Sequence, residues 1–374
     1  MNPFVNRLRG LLAILVAAGH AGAICTALPT IPDHFQSALL PLLMFTGFNY
    51  VIGFVVISGY CIARSTFNRP FDFSHYLKMR VTRIYPALIA CAVLAGLVEI
   101  AFYQSADRIA VWNSNLSLKF FLGSLFGVGG FTGTFASYAP TYTVSFELLY
   151  YLIWGLAFAV LPPRLVVAGC AISLPVLFAL PGVFHFALVI FVVWLIGAAV
   201  AATQEEAKTF LEKIPLWAVW LSSTLIFIWG NAAVAKAGVD MWRFPGSLVT
   251  VPCGALFGLI LAAHLAKEGP KLALDDWLGE ISYPLFLSHG PILVAVGSIA
   301  KMTGYSFSFG LLFCILMVVS FAAAQVIVVL VERPIMKFRR ERLTSLTVAP
   351  ARRELATDLP LGTGSTTESG TRRS

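Results

Sequence analysis

The feature that most restricts the fold of this chain is a series of about ten apolar stretches, each long enough to cross a bilayer core as a helix. Their approximate limits are 8–28, 44–64, 84–103, 141–161, 164–181, 183–203, 214–235, 245–266, 281–300 and 307–331. The fifth and sixth are split only by Pro181-Gly182. With 58% of residues hydrophobic, 12% charged and a mean hydropathy of +0.83, a soluble domain of this length could not hide its apolar surface. The expectation is therefore an all-α, polytopic membrane protein. Ala23 to Leu28 contains no convincing cleavage site, so the first stretch is read as a retained helix. No internal repeat is evident, which argues against the repeat-built transporter folds.

Lysine and arginine placement orients the spans. With the N-terminus cytoplasmic and ten crossings, only Arg108, Lys119, Lys236, Arg243 and Lys301 of the 26 fall in outer loops. Both termini are then cytoplasmic, and losing or adding one span spoils the asymmetry. The formal charge of +8 thus reflects topology rather than nucleic-acid binding. Its densest cluster, Arg64, Arg69, Lys78, Arg80 and Arg83 against Asp72, lies between the second and third spans. The longest outer loop, about 104–140, carries Trp112, Tyr138 and a glycine-rich run from Gly123 to Gly133, and suits a re-entrant or interfacial piece. Residues 1–340 are read as one membrane domain, and 341–374, rich in Ser, Thr, Gly and Arg, as a disordered cytoplasmic tail. Cys25, Cys61, Cys91, Cys170, Cys253 and Cys314 lack the spacing of a disulfide framework or zinc site and read as small apolar residues.

Ionisable residues inside such spans are costly and mark function by default. Arg9 and His20 stand eleven residues apart, three turns of one helix face and roughly 16 Å along its axis. Arg9 is then near one membrane surface and His20 near the midplane. Glu147, counted from a helix entering near Thr141, lies about 9 Å deep, and His20 about 12 Å below the same outer face. Agreement within a turn suggests a carboxylate that orients the histidine ring. Arg80 and Arg83 form one cationic face at a helix end, suited to a phosphate, although the positive-inside rule also accounts for them. Ser58 and Gly59 suit either close helix packing or a ligand's approach. In Ser282 to His289, Pro284 is placed in the first turn of its span, and His289 about 12 Å into the core serves equally as packing or site residue. Glu332-Arg333-Pro334 reads as a topological stop. His34, His75, His185 and His264 receive no role.

In this order the segments resemble the acyltransferase-3 family of integral membrane acyltransferases, over most of residues 1–338. Arg9 with His20 is similar to its first-span arginine–histidine motif, and Phe54 to Tyr60 to its Phe-Phe-X-X-Ser-Gly-aromatic segment. Arg80 with Arg83 is similar to its Arg-X-X-Arg motif, and Thr143 to Tyr151 to its Trp-Ser-Leu-X-X-Glu-X-X-Phe-Tyr segment. Ser282 to His289 resembles Ser-Tyr-X-X-Tyr-Leu-X-His, and Glu332 to Pro334 the closing Glu-X-Pro. Here Tyr142 or Thr143 stands for the tryptophan, Val55 for an aromatic residue and Phe286 for a tyrosine.

The resemblance implies transfer of an acyl group, acetyl by default, from cytosolic acyl-CoA to a sugar hydroxyl outside the cytoplasm. The acceptor would be a sugar, a polysaccharide or a lipid-linked glycan. His20 and Glu147 would be catalytic, with His20 a general base or a transient acyl carrier. Arg9, Arg80, Arg83, Ser58 and Tyr60 would bind the donor, and Tyr283 and His289 would line the site. No metal and no bound cofactor is required, and nucleic acid is not a partner. The expected setting is the bacterial cytoplasmic (inner) membrane, among its lipids, and the tail is too short for the esterase-like domain some relatives carry. A proton-coupled transporter explains His20 and Glu147 equally well but leaves the arginines without a purpose. A non-catalytic assembly subunit explains neither.

Overall fold

A computed structural model describes residues 2–28, 33–67, 70–102, 115–138, 140–179, 183–238, 246–267, 269–304, 307–339 and 341. Among them the chain is helical, with no β-strand. In order come α1 (Pro3–Thr26), α2 (Asp33–Phe67), α3 (Phe73–Phe102), α4 (Leu118–Leu125), α5 (Gly129–Thr132) and α6 (Thr141–Val160). There follow α7 (Val166–Ala179), α8 (Val183–Leu211), α9 (Leu216–Ala237), α10 (Thr250–Ala266), α11 (Asp275–Met302) and α12 (Phe309–Ile327).

Among the described residues eight helical runs are long and apolar enough to cross a membrane. Two further apolar helices, Val166–Val176 within α7 and Leu216–Gly230 within α9, are shorter. Over their described residues the ten predicted stretches are largely helical, but two of them reach spanning length by sequence only. Several helices outrun their apolar windows: α3 begins at Phe73 and α11 at Asp275, where the hydropathy pattern puts 84 and 281. Polar residues are tolerated where a helix emerges from hydrocarbon, so hydropathy marks the core of a span and not its ends. Pro284 is accordingly an interior proline of α11, not a first-turn one. Residues 103–114, with Trp112, and 342–374 of the expected tail lie outside the described residues, as does Arg69.

Two helix pairs determine where the polar side chains meet. In the first, α1 and α11 run side by side in the same direction. Arg7 Nε donates to Asp275 Oδ1 at 2.8 Å. Gly10 lies so close to α11 that a methyl in place of its hydrogen would stand 2.5 Å from Leu278 Cβ. From that contact each helix climbs about three turns, bringing His20 beside His289. In the second pair, α2 meets α8 at Gly59, where a Cβ would stand 2.0 Å from the Trp194 carbonyl oxygen. Small residues allow this approach, the usual basis of helix association in lipid, where apolar contact alone gives no drive. Gly59 is thus a packing residue, and its neighbour Ser58 is turned towards the interior.

The main core is aromatic. Trp154 and Trp194, both fully buried, meet edge to face at 5.4 Å between α6 and α8. The segment before α6 folds into α4 and α5, which pack against the start of α6: the Gly130 N–H donates to Ser145 Oγ at 2.9 Å.

Candidate active site

Two connected spaces open at the end of the bundle where α1 begins. The larger is a cleft of about 1050 Å³ between the ends of α1, α2, α3, α11 and α12. Its lining carries seven lysines and arginines against four carboxylates, so it is electropositive. Beyond it lies a narrow chamber of about 160 Å³ between α1, α2, α3, α6 and α11. Arg9, Arg80 and Arg83 line both spaces and form the collar between them.

Each collar arginine is held differently. Arg80 Nη2 donates to Ser65 Oγ at 2.8 Å and its guanidinium lies 5.2 Å over the Tyr76 ring, while its buried Nε has no hydrogen-bond partner. Arg83 Nη1 donates to Glu332 Oε2 at 3.0 Å, with its guanidinium 5.8 Å from the centre of Tyr283. Glu332 sits in a π-helical turn, Val328–Glu332, that continues α12. Read from sequence as part of a topological stop, Glu332 is instead a buried carboxylate on the cleft wall, with Oε1 unpartnered. Extra residues per turn rotate a side chain off its α-helical heading, and such turns often occur at functional sites.

Glu147 faces the chamber with Arg9, Ser58 and Tyr151. The two ends of this network have fixed directions, an indole that only donates and a carboxylate that accepts. Trp194 Nε1 only donates, so Ser58 Oγ accepts from it at 3.3 Å. Tyr151 donates its hydroxyl proton to Glu147 Oε2 at 3.4 Å, and the Ser58 and Tyr151 hydroxyl oxygens lie 2.9 Å apart. Trp194, Ser58, Tyr151 and Glu147 thus form one hydrogen-bonded network. Trp194 is invisible to motif reasoning because only the crossing of α2 and α8 brings it there.

The expected pairing of Glu147 with His20 is not what the geometry gives. His20 Nδ1 lies 2.8 Å from His289 Nε2, so on that edge of the ring its neighbour is a histidine. The depth estimate compared heights along two separate helices, and it could not include how α6, packed against α4 and α5, is set relative to α1. Glu147 consequently shares the chamber with Arg9, three turns of α1 below His20. Tyr60 lines neither space: two residues after Ser58 it points about 200° away, and its hydroxyl donates to Gln204 Oε1 at 3.2 Å. Tyr283 lines the chamber and donates to the Ile84 carbonyl at 3.3 Å.

On α2, α6 and α11 the chamber ends at Phe54, Thr143 and Phe286. The Phe54 and Phe286 rings lie 5.3 Å apart, and Phe286 lies 6.2 Å from His289. These two rings thus stand between the chamber and the histidine pair. Among the described residues no three His, Cys, Asp or Glu converge as a metal site, and none of the six cysteines is joined in a disulfide.

Comparison with known proteins fits this arrangement. A family model described as an acyltransferase domain matches residues 2–329. Over 318 residues the chain is 23% identical to BcsY of Komagataeibacter xylinus, described as a membrane-bound transacylase, covering 78% of this chain and 72% of BcsY. No solved structure matches.

Proposed function

This chain belongs to the acyltransferase-3 family and is a membrane acyltransferase, and from that premise we propose that it moves an acyl group, acetyl first, from cytosolic acyl-CoA to a hydroxyl of an extracytoplasmic or lipid-linked sugar. The observation that carries this reading is the collar: three arginines from two helices ring the passage from a wide electropositive cleft into a narrow chamber aimed at two histidines. A transported solute needs no such phosphate-binding ring at one end only.

In this reading the nucleotide end of the donor rests in the cleft, facing the cytosol of the inner membrane. Its phosphates take charge-assisted hydrogen bonds from Arg9, Arg80 and Arg83, with Arg80 Nε and the Arg83 fork well suited to anionic oxygens. The pantetheine arm passes through the chamber, where Ser58 and Tyr151 offer polar contacts. Glu147 anchors these hydroxyls and balances the arginine charge. The thioester then reaches past Phe54 and Phe286 to His20.

His20 acts as the general base. Its ring nitrogen removes the proton of the acceptor hydroxyl as that oxygen attacks the thioester carbonyl. Collapse of the tetrahedral intermediate breaks the carbon–sulfur bond, and the imidazolium returns the proton to the departing thiolate. The products are an O-acyl sugar and free CoA.

The test is turnover of labelled acetyl-CoA by the purified protein in lipid, with acceptor-bearing membranes added. Wild type is expected to transfer label, and His20→Ala to lose about 10³-fold in rate at normal abundance. Full transfer by that variant would remove His20 from the mechanism. No donor turnover by well-folded wild type would favour a transporter.

A further inference from the structure

The contact between His20 and His289 contains more chemical information than a distance. The two rings are within 9° of parallel, yet their centres are 5.0 Å apart while the nearest nitrogens are 2.8 Å apart. Rings lying face over face would have their centres much nearer than that. They therefore meet edge to edge in nearly one plane, so the lone pair of one nitrogen points along the N–H of the other. One proton lies between them, and the question is which ring owns it.

The answer comes from the far edge of His289. Its Nδ1 lies 3.1 Å from the backbone carbonyl of Leu285, one turn earlier in α11. A carbonyl can only accept, so His289 Nδ1 carries a hydrogen. A neutral imidazole has only one, so His289 Nε2 bears a lone pair and accepts from His20. The shared proton then belongs to His20 Nδ1, and in neutral His20 the remaining nitrogen, Nε2, carries the lone pair.

We propose that His289 is the positioning residue for His20: the relay from the Leu285 carbonyl through His289 holds His20 in the tautomer whose Nε2 can accept a proton. His289 does with a neutral ring what a carboxylate does in a serine hydrolase triad, where an acceptor on one ring nitrogen frees the other to act. The ring is 1% exposed, so its orientation is fixed by packing as well as by hydrogen bonds. During attack, the hydroxyl proton passes to His20 Nε2, and the Nδ1–H bond to His289 strengthens as the ring becomes cationic. When the thiolate leaves, Nε2 gives its proton up and the starting tautomer returns.

This deepens the acyl-transfer reading and rests on it for its rate consequences, while the tautomer is a property of the protein alone. Two measurements keep the two apart. In the first, protein labelled with 15N-histidine is studied in lipid by solid-state NMR, the His20 signals being assigned by their loss in His20→Asn. The wild type is expected to show His20 protonated at Nδ1 and unprotonated at Nε2, and His289→Phe to shift His20 towards the opposite tautomer. A wild-type His20 protonated at Nε2, or a tautomer unchanged in His289→Phe, would overturn the proposal whatever the enzyme's activity.

The second measurement is steady-state transfer from labelled acetyl-CoA by His289→Phe and His289→Gln. A glutamine oxygen can occupy the place of Nε2 and accept from His20. His289→Phe is expected to lose between about 10²- and 10⁴-fold in kcat with KM for the donor unchanged, and His289→Gln to recover most of that loss. Equal losses in the two variants, or a change confined to KM, would overturn the positioning role.

Discussion

Arg9 and His20 stand on one helix, yet the regions around them are built on different terms. The collar around Arg9 is ionic and partly open: its arginines belong to two helices, reach in on long side chains, and are balanced by carboxylates such as Glu332. The histidine pair meets across a single nitrogen–nitrogen contact and is held nearly in one plane by the register of two helices in close contact. Phosphate binding sums several charge-assisted bonds and tolerates adjustment of any one. Proton transfer fails when a donor and an acceptor separate by a fraction of an ångström. The lower region should therefore yield gradually to substitution, and the upper one abruptly.

The sharpest break should come far from the histidines. Gly10→Val sets a side chain against Leu278, and α1 must shift relative to α11. Overpacking of this kind costs about 1–3 kcal/mol. A displacement of about 1 Å at His20 is enough to lower kcat about 10²-fold. Acyl transfer measured beside acyl-CoA binding should show the first falling and the second nearly unchanged. Equal losses in both would mean that the two regions are not separable.

Arg83→Ala should act the other way round. Loss of charge-assisted bonds worth about 1.5–3 kcal/mol raises KM for the donor roughly 10- to 100-fold with little change in kcat. Arg83→Lys keeps the charge without the fork and should fall between. A fall in kcat alone would place Arg83 in the chemistry and not in binding.

Tyr60→Phe should do least. Removing one hydroxyl bonded to Gln204 costs about 1 kcal/mol of stability and leaves donor KM within about two-fold of wild type. A large rise in KM would return Tyr60 to the donor site, against its direction in α2.

The region that yields gradually is also the one that could be read from sequence. Arg9, Arg80 and Arg83 lie where apolar runs begin, and span order alone brings such places to one end of the bundle. Their sharing of one collar follows nearly from span order. His20 was legible as an ionisable residue at depth, but its partner was not. Glu147 had the matching depth on paper, and His289 had the position in space. What separates them is helix packing, which has no hydropathy signal: α6 sets Glu147 in the chamber beside Arg9, while α11 runs against α1. Trp194 escaped notice, and Glu332 was read only as a stop and a closing motif, for a similar reason: one is brought in by a helix crossing, the other by a turn that departs from the α-helix.

The sequence by itself determined that this chain is a bundle of membrane helices, with cations gathered at one end and polar groups spaced in whole turns along a few of them. These properties follow from composition and from the 3.6-residue repeat, both of which are local. Only the tertiary structure decided which polar groups touch. That depends on the relative height of neighbouring helices, set here by a glycine against Leu278 and a glycine against Trp194. A helix can slide along its neighbour without altering a single local preference, so close packing between helices, and not the sequence of any one of them, places His289 against His20.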